Sequence, residues 1–123
     1  MAYQQDWVMR QVEMLVQFVA RTIFHQDSIS YDIIDESNLS QPDLIFNKLR
    51  NLIAKREICE AENLLFENID KDDNKSLALA LDFYQNINRM TDEELEAHNF
   101  SRQEINDGIH EILHMFNIST LNL

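Results

Sequence analysis

With 123 residues, 45% of them hydrophobic, and only one Gly and one Pro, the chain is sized for one domain and too poor in breakers for a turn-rich β fold or a disordered tract. Its net charge of −12 is uneven, with 7 acids and 6 bases in residues 1–56 against 15 acids and 4 bases in residues 57–123. Such a field repels nucleic-acid phosphates and anionic lipid headgroups, so neither nucleic acid nor membrane is an expected partner, and the charge reads first as a solubility device.

Met1-Ala2-Tyr3-Gln4-Gln5-Asp6 lacks the basic n-region of a signal peptide, and the apolar runs are cut by charges before they reach membrane-spanning length. A cytoplasmic location is the expectation. Cys59 has no second cysteine to pair with and sits among apolar helical neighbours, so it is expected to be a small core residue.

The first helix is predicted from about Gln4 to about Gln26. At 100° per residue its polar side chains Arg10, Glu13, Gln17 and Arg21 share one narrow stripe, and Trp7, Val8, Val12, Met14, Leu15, Val16, Phe18, Val19 and Ile23 occupy most of the remaining circumference. That arc is wider than a surface helix needs. The helix is therefore expected to be covered on two sides, either as the central helix or between its own domain and a second copy. Periodicity lapses from Asp27 to Ser40, a connection long enough to act as an arm or lid, with Tyr31, Ile33 and Ile34 the residues to tuck onto the core.

Ser40-Gln41-Pro42-Asp43 is a helix start: hydroxyl cap, proline in the first turn, acid at the third position. Ile45, Leu49, Leu52 and Ile53 share a face up to about Ala54. The apolar phase then jumps half a turn at Lys55-Arg56, which predicts a turn and a third helix over Glu57 to Ile69. After the polar turn at residues 70–74, a fourth helix from about Lys75 to Met90 carries Leu77, Ala80, Leu81, Tyr84 and Ile87 on one face, widened by Phe83. Thr91-Asp92-Glu93-Glu94 and Ser101-Arg102-Gln103-Glu104 are capping boxes, opening a short helix and then a fifth long one. The latter buries Ile105, Ile109, Ile112 and Phe116, with Gly108 at the edge of its apolar face, where a missing side chain permits close contact. Asn117 to Leu123 is expected to be a frayed or docked tail. The expected fold is all-α: one domain over 1–123, about five helices, with a long N-terminal helix followed by antiparallel pairs.

Residues 57–90, with small and large apolar residues alternating through EICEAENLLFENIDKDDNKSLALALDFYQNI, resemble a tetratricopeptide-type helix–turn–helix, although the signature Trp, Gly and Pro are missing. The architecture expected is accordingly tetratricopeptide-like or an irregular bundle. More broadly, QDWVMRQVEMLVQFVARTIF, EICEAENLLFENI and FYQNINRMTDEELEAHNFSRQEINDGIHEIL together resemble a family of small helical proteins of unknown function from Firmicutes-type bacteria. That resemblance implies a helical bacterial protein and carries no activity and no site residues.

Several segments suggest chemistry. His110-Glu111-Ile112-Leu113-His114 matches the zinc-peptidase pattern H-E-x-x-H, in which two histidines a turn apart grip the metal and the glutamate acts as general base. No third ligand follows His114, and the apolar face set by Ile105, Ile109, Ile112 and Phe116 turns both histidines toward water. An upstream ligand would have to come from a residue such as His25 or His98. Asp70-Lys71-Asp72-Asp73-Asn74 begins like a calcium loop, but Lys75 replaces the required glycine and Leu81 the bidentate glutamate, so aspartates capping the next helix are expected instead. Of Asp92, Glu93, Glu94 and Glu96, three fit a helix first turn, where the dipole favours acids, so capping is expected rather than paired acid–base or metal chemistry. Lys48, Arg50, Lys55 and Arg56 form a basic patch with no acid from Leu44 to Arg56, suited to an acidic surface of a partner or second protomer.

These readings assign no catalytic residue and no cofactor. The expected function is a non-enzymatic interaction module that self-associates as a homodimer through its first helix, with Trp7, Met14 and Phe18 as anchors. The alternatives are a metal-dependent hydrolase using His110, His114 and Glu111, and an acidic adaptor whose later helices groove a basic peptide or protein.

Overall fold

The computed structural model describes residues 2–119, with side chains from residue 6 onward. Among the described residues there are six helices and no strand: α1 (Ala2–Thr22), α2 (Gln41–Ala54), α3 (Ile58–Glu67), α4 (Asn74–Asn88), α5 (Asp92–Ala97) and α6 (Arg102–Met115). The all-α expectation is met. α1 stops at Thr22, short of the expected Gln26, and residues 120–123 of the tail lie outside the described residues.

The helix starts follow from side chains. Ser40, Thr91 and Ser101 each accept from the third backbone N–H of their helix, while Asp43, Glu94 and Glu104 reach back to the cap. Asp73 caps α4 through the N–H of Lys75. The helix ends explain how a chain with one glycine reverses direction so often. Arg56, Asn99 and Asn117 adopt left-handed φ of 63°, 56° and 56°, and the following residue donates back to Leu52, Leu95 and Leu113. These are Schellman closures made without glycine, at positions where asparagine is tolerated and arginine is strained.

α4 is the central helix. Ser76, Leu77, Leu79, Ala80, Leu81, Asp82, Phe83, Tyr84, Ile87 and Asn88 are all buried, so it is covered around nearly its whole girth. It packs on α6, α1 and α2, and α1 also lies along α6. The most extensive pairings are α2 with α3 and, across the short α5, α4 with α6, not α3 with α4 as the tetratricopeptide likeness of residues 57–90 implies. Gly108 of α6 meets the Tyr84 ring of α4 directly, which is the close contact its position predicts.

Of the two placements expected for α1, the central one does not hold: Val12, Leu15, Val16, Val19 and Ala20 are buried, but Trp7 and Met14 on its other flank are exposed. Two expectations need correction. Cys59 is exposed rather than in the core, because α3 buries Ile58, Ala61 and Leu65 and turns Cys59 outward. Ile34 is 88% exposed, whereas Ile29, which no periodicity singled out, is buried beside Tyr31. The segment between α1 and α2 is nonetheless a docked strap. Gln85 Nε2 donates to the Ile29 carbonyl at 2.8 Å, and the Tyr31 N–H donates to Asp82 Oδ1 at 3.1 Å. No helix of the described residues is long and apolar enough to cross a membrane.

Candidate functional site

The open flank of α1 carries exposed apolar side chains at helical spacing. Trp7 is 59% and Met14 49% exposed, and Phe18 is half-buried beside them. Their spacings of seven and four residues place them on one line, interrupted only by Gln11 and continued by Arg21, which is the d–a rhythm of a helix–helix seam. Met14 and Phe18 with Gln17, Arg21 and Thr22 border a shallow groove of about 260 Å³. Arg10 and Arg21, both exposed, flank the apolar line. All three expected anchors are thus brought together on one face.

The motifs that suggest metal chemistry are dispersed. His110 and His114 are exposed on α6, and among the described residues no three His, Cys, Asp or Glu side chains converge on one point. His98 closes α5, where burial and the nearby Arg56 hold its imidazole below its ordinary range. The carboxylates of the calcium-like loop serve their own backbone: Asp70 Oδ1 accepts from Asp72 N at 2.9 Å, and Asp73 Oδ1 from Lys75 N at 2.9 Å. Lys75, at the position where a calcium loop requires glycine, reaches across to Asp43 at 3.1 Å. Glu94 completes its capping box, and its carboxyl is held low by the bonds to Thr91. Asp92 pairs with Arg102 at 2.8 Å.

Lys48, Arg50, Lys55 and Arg56 are all exposed around the end of α2. Arg50 stacks over the Phe46 ring at 5.6 Å, which fixes it at the mouth of a cleft between α2, α4 and the strap. The cleft holds about 500 Å³, with Tyr31, Phe46, Leu49, Ile53 and Phe83 among its walls and Asp82 within its lining. Asp82 is only 8% exposed. Burial pushes its carboxyl above the usual carboxylate range, against the pull of the Tyr31 N–H.

Two further polar clusters hold the helices together, and periodicity did not single them out. The Asp43 carboxylate accepts from Tyr31 Oη at 2.5 Å and from Ser40 N at 2.9 Å, beside the Lys75 ammonium. Burial opposes its ionisation, yet these donors hold its carboxyl well below the usual range and push the Tyr31 phenol, itself buried, well up. Arg102, buried at the start of α6, donates through Nη1 to the Asn88 carbonyl at 2.7 Å and through Nη2 to the Met90 carbonyl. Asn88 in turn donates to the Met9 carbonyl of α1 at 3.1 Å. A readable signal existed for Asp82 and Asn88, since each interrupts or ends an otherwise apolar stretch of α4. For Arg102, in a capping box, there was none.

A family model described as Family of unknown function (DUF6483) matches residues 2–117, and the chain belongs to that family. No curated protein and no solved structure matches it.

Proposed function

Taking membership of this family of unknown function as the premise, we propose that the protein is a helical interaction module that self-associates through the outward flank of α1. The observation that carries the reading is the exposure of Trp7 and Met14 in line with Phe18 on a helix whose opposite face is already buried in its own core. A tryptophan and a methionine left about half in water each forgo on the order of 1 kcal/mol relative to full burial, and such anchors are enriched where chains meet.

The flank is self-complementary in one orientation. A two-fold axis through Met14, with the helices antiparallel, sets each Trp7 against Arg21 of the other copy and each Phe18 against its Arg10. That gives four cation–π contacts worth about 0.5–1 kcal/mol each. A parallel pair would instead stack Arg10 on Arg10 and Arg21 on Arg21. The antiparallel dimer is therefore the form proposed.

Sedimentation velocity at micromolar concentration tests this. The wild-type chain is expected at twice its monomer mass, and Trp7→Glu and Met14→Glu at monomer mass with unchanged helical circular dichroism. In a Cys59→Ser background, Met14→Cys is expected to oxidise to a disulfide-linked dimer, because position 14 lies on the axis. A monodisperse wild-type monomer overturns the proposal.

A further inference from the structure

We infer that the cleft between α2, α4 and the strap is a binding site for a small organic cation, an ammonium or amidinium group carried on a compact apolar body. Its volume of about 500 Å³ falls within the range of small-ligand pockets, and Phe46, Leu49, Ile53 and Phe83 supply apolar walls. What gives the site its sign is Asp82. Its Oδ1 accepts from the Tyr31 N–H at 3.1 Å and its Oδ2 from Asn86 Nδ2 at 3.0 Å. A carboxylate has about four acceptor positions, so acceptor capacity remains. Among the described residues no ion pair reaches Asp82, although it is more than nine-tenths buried.

Holding the strap does not explain the charge. An asparagine would still accept from the Tyr31 N–H, by a weaker bond but without the penalty of burying an ion that lacks a counter-ion. The surrounding charges leave the site open to a cation. Asp32 adds negative potential at Asp82, and Arg89 offsets it by less and without an ion pair among the described residues. Arg50 sits exposed at the mouth, directed onto the Phe46 face, where water and salt screen it. A cation gives the buried carboxylate the charged partner it lacks, whereas a neutral ligand supplies at most a weaker hydrogen bond and an anion adds repulsion.

Site-resolved NMR titration with phenethylamine, 2-phenylethanol and phenylacetate tests this with three probes of like shape and different charge. Phenethylamine is expected to saturate, with shifts centred on Tyr31, Phe46 and Asp82, and to bind about tenfold more tightly than the alcohol, the worth of one charge-assisted hydrogen bond. Phenylacetate is expected not to saturate. In Asp82→Asn, shown folded by circular dichroism, phenethylamine is expected to fall to the affinity of the alcohol. Failure of phenethylamine to saturate the wild-type site overturns the inference, as does equal binding of all three probes. The same holds for an unchanged affinity in Asp82→Asn. The comparison among probes needs only the wild-type chain, so a variant that fails to fold leaves the decision intact.

Discussion

Replacing Gly108 by alanine sets local helix preference against packing. In a helix interior the change ordinarily stabilises by about 1 kcal/mol. At Gly108 the new Cβ would fall 2.5 Å from Tyr84 Cζ and 2.7 Å from Cε1, and closer still to the hydroxyl, where ordinary contact begins near 3.4 Å. The ring must therefore retreat by roughly an ångström. It has nowhere easy to go: Tyr84 is fully buried, and its hydroxyl donates to Glu62 Oε2 at 2.6 Å. Forcing a methyl into a packed core costs about 1–3 kcal/mol, and losing a hydrogen bond to a charged acceptor about 1.5–3 kcal/mol. Even with partial relaxation and the gain in helix preference, a net loss of about 2 kcal/mol is expected, a fall in Tm of about 8 °C for a chain of this size. Urea unfolding followed by circular dichroism, with unchanged m-value, reads the difference. In a Tyr84→Phe background, which removes the nearest atom, the same substitution should cost at least about 1 kcal/mol less. A Gly108→Ala protein as stable as wild type would show that this contact does not set the spacing of α4 and α6.

In the pH profile of stability two opposing carboxylate slopes meet near the ordinary carboxylate values of about 4. Asp43, with its folded pKa below the unfolded one, contributes stability that is complete above the unfolded value and lost as pH falls through the folded value. Glu62 and Asp82, raised chiefly by burial, run the other way, contributing fully below their unfolded pKa and losing stability as pH rises through the folded one. Thermal melts of Glu62→Gln should show a shallower decline toward neutral pH than wild type, and an identical slope would contradict the burial of that carboxylate. Arg56→Gly should stabilise the chain by about 1 kcal/mol, since a left-handed arginine is strained and glycine there is not, partly offset by the greater freedom of glycine when unfolded. A loss of stability in the same urea assay would mean that the exposed guanidinium makes a compensating contact.

Much of the fold was legible along the chain because helices announce themselves locally. Ser40, Thr91 and Ser101 with their acids three residues on mark three helix starts, and the half-turn slip at Lys55-Arg56 marks a helix end. The apolar faces of α4 and α6, and the tight contact at Gly108, were also visible in periodicity. Cys59 and Ile34 went the other way. An apolar neighbourhood in sequence does not say which side of a short helix or strap faces inward, and a residue one position away, Ile58 in α3, took the buried place.

Which helix stands at the centre was decided only in three dimensions. The wide apolar arc of α1 made it the candidate for the centre, yet α4 is the one enclosed, and its buried Asp82 and Asn88 are satisfied by groups 51 and 79 residues distant, in Tyr31 and Met9. Local sequence sets where a helix begins, ends and carries its apolar stripe, because caps and periodicity act over one or two turns. Partners so far along the chain leave no local trace, and so the strap's seat and the cleft it completes belong to the tertiary structure alone, which also chose between the two placements that the apolar arc of α1 left open.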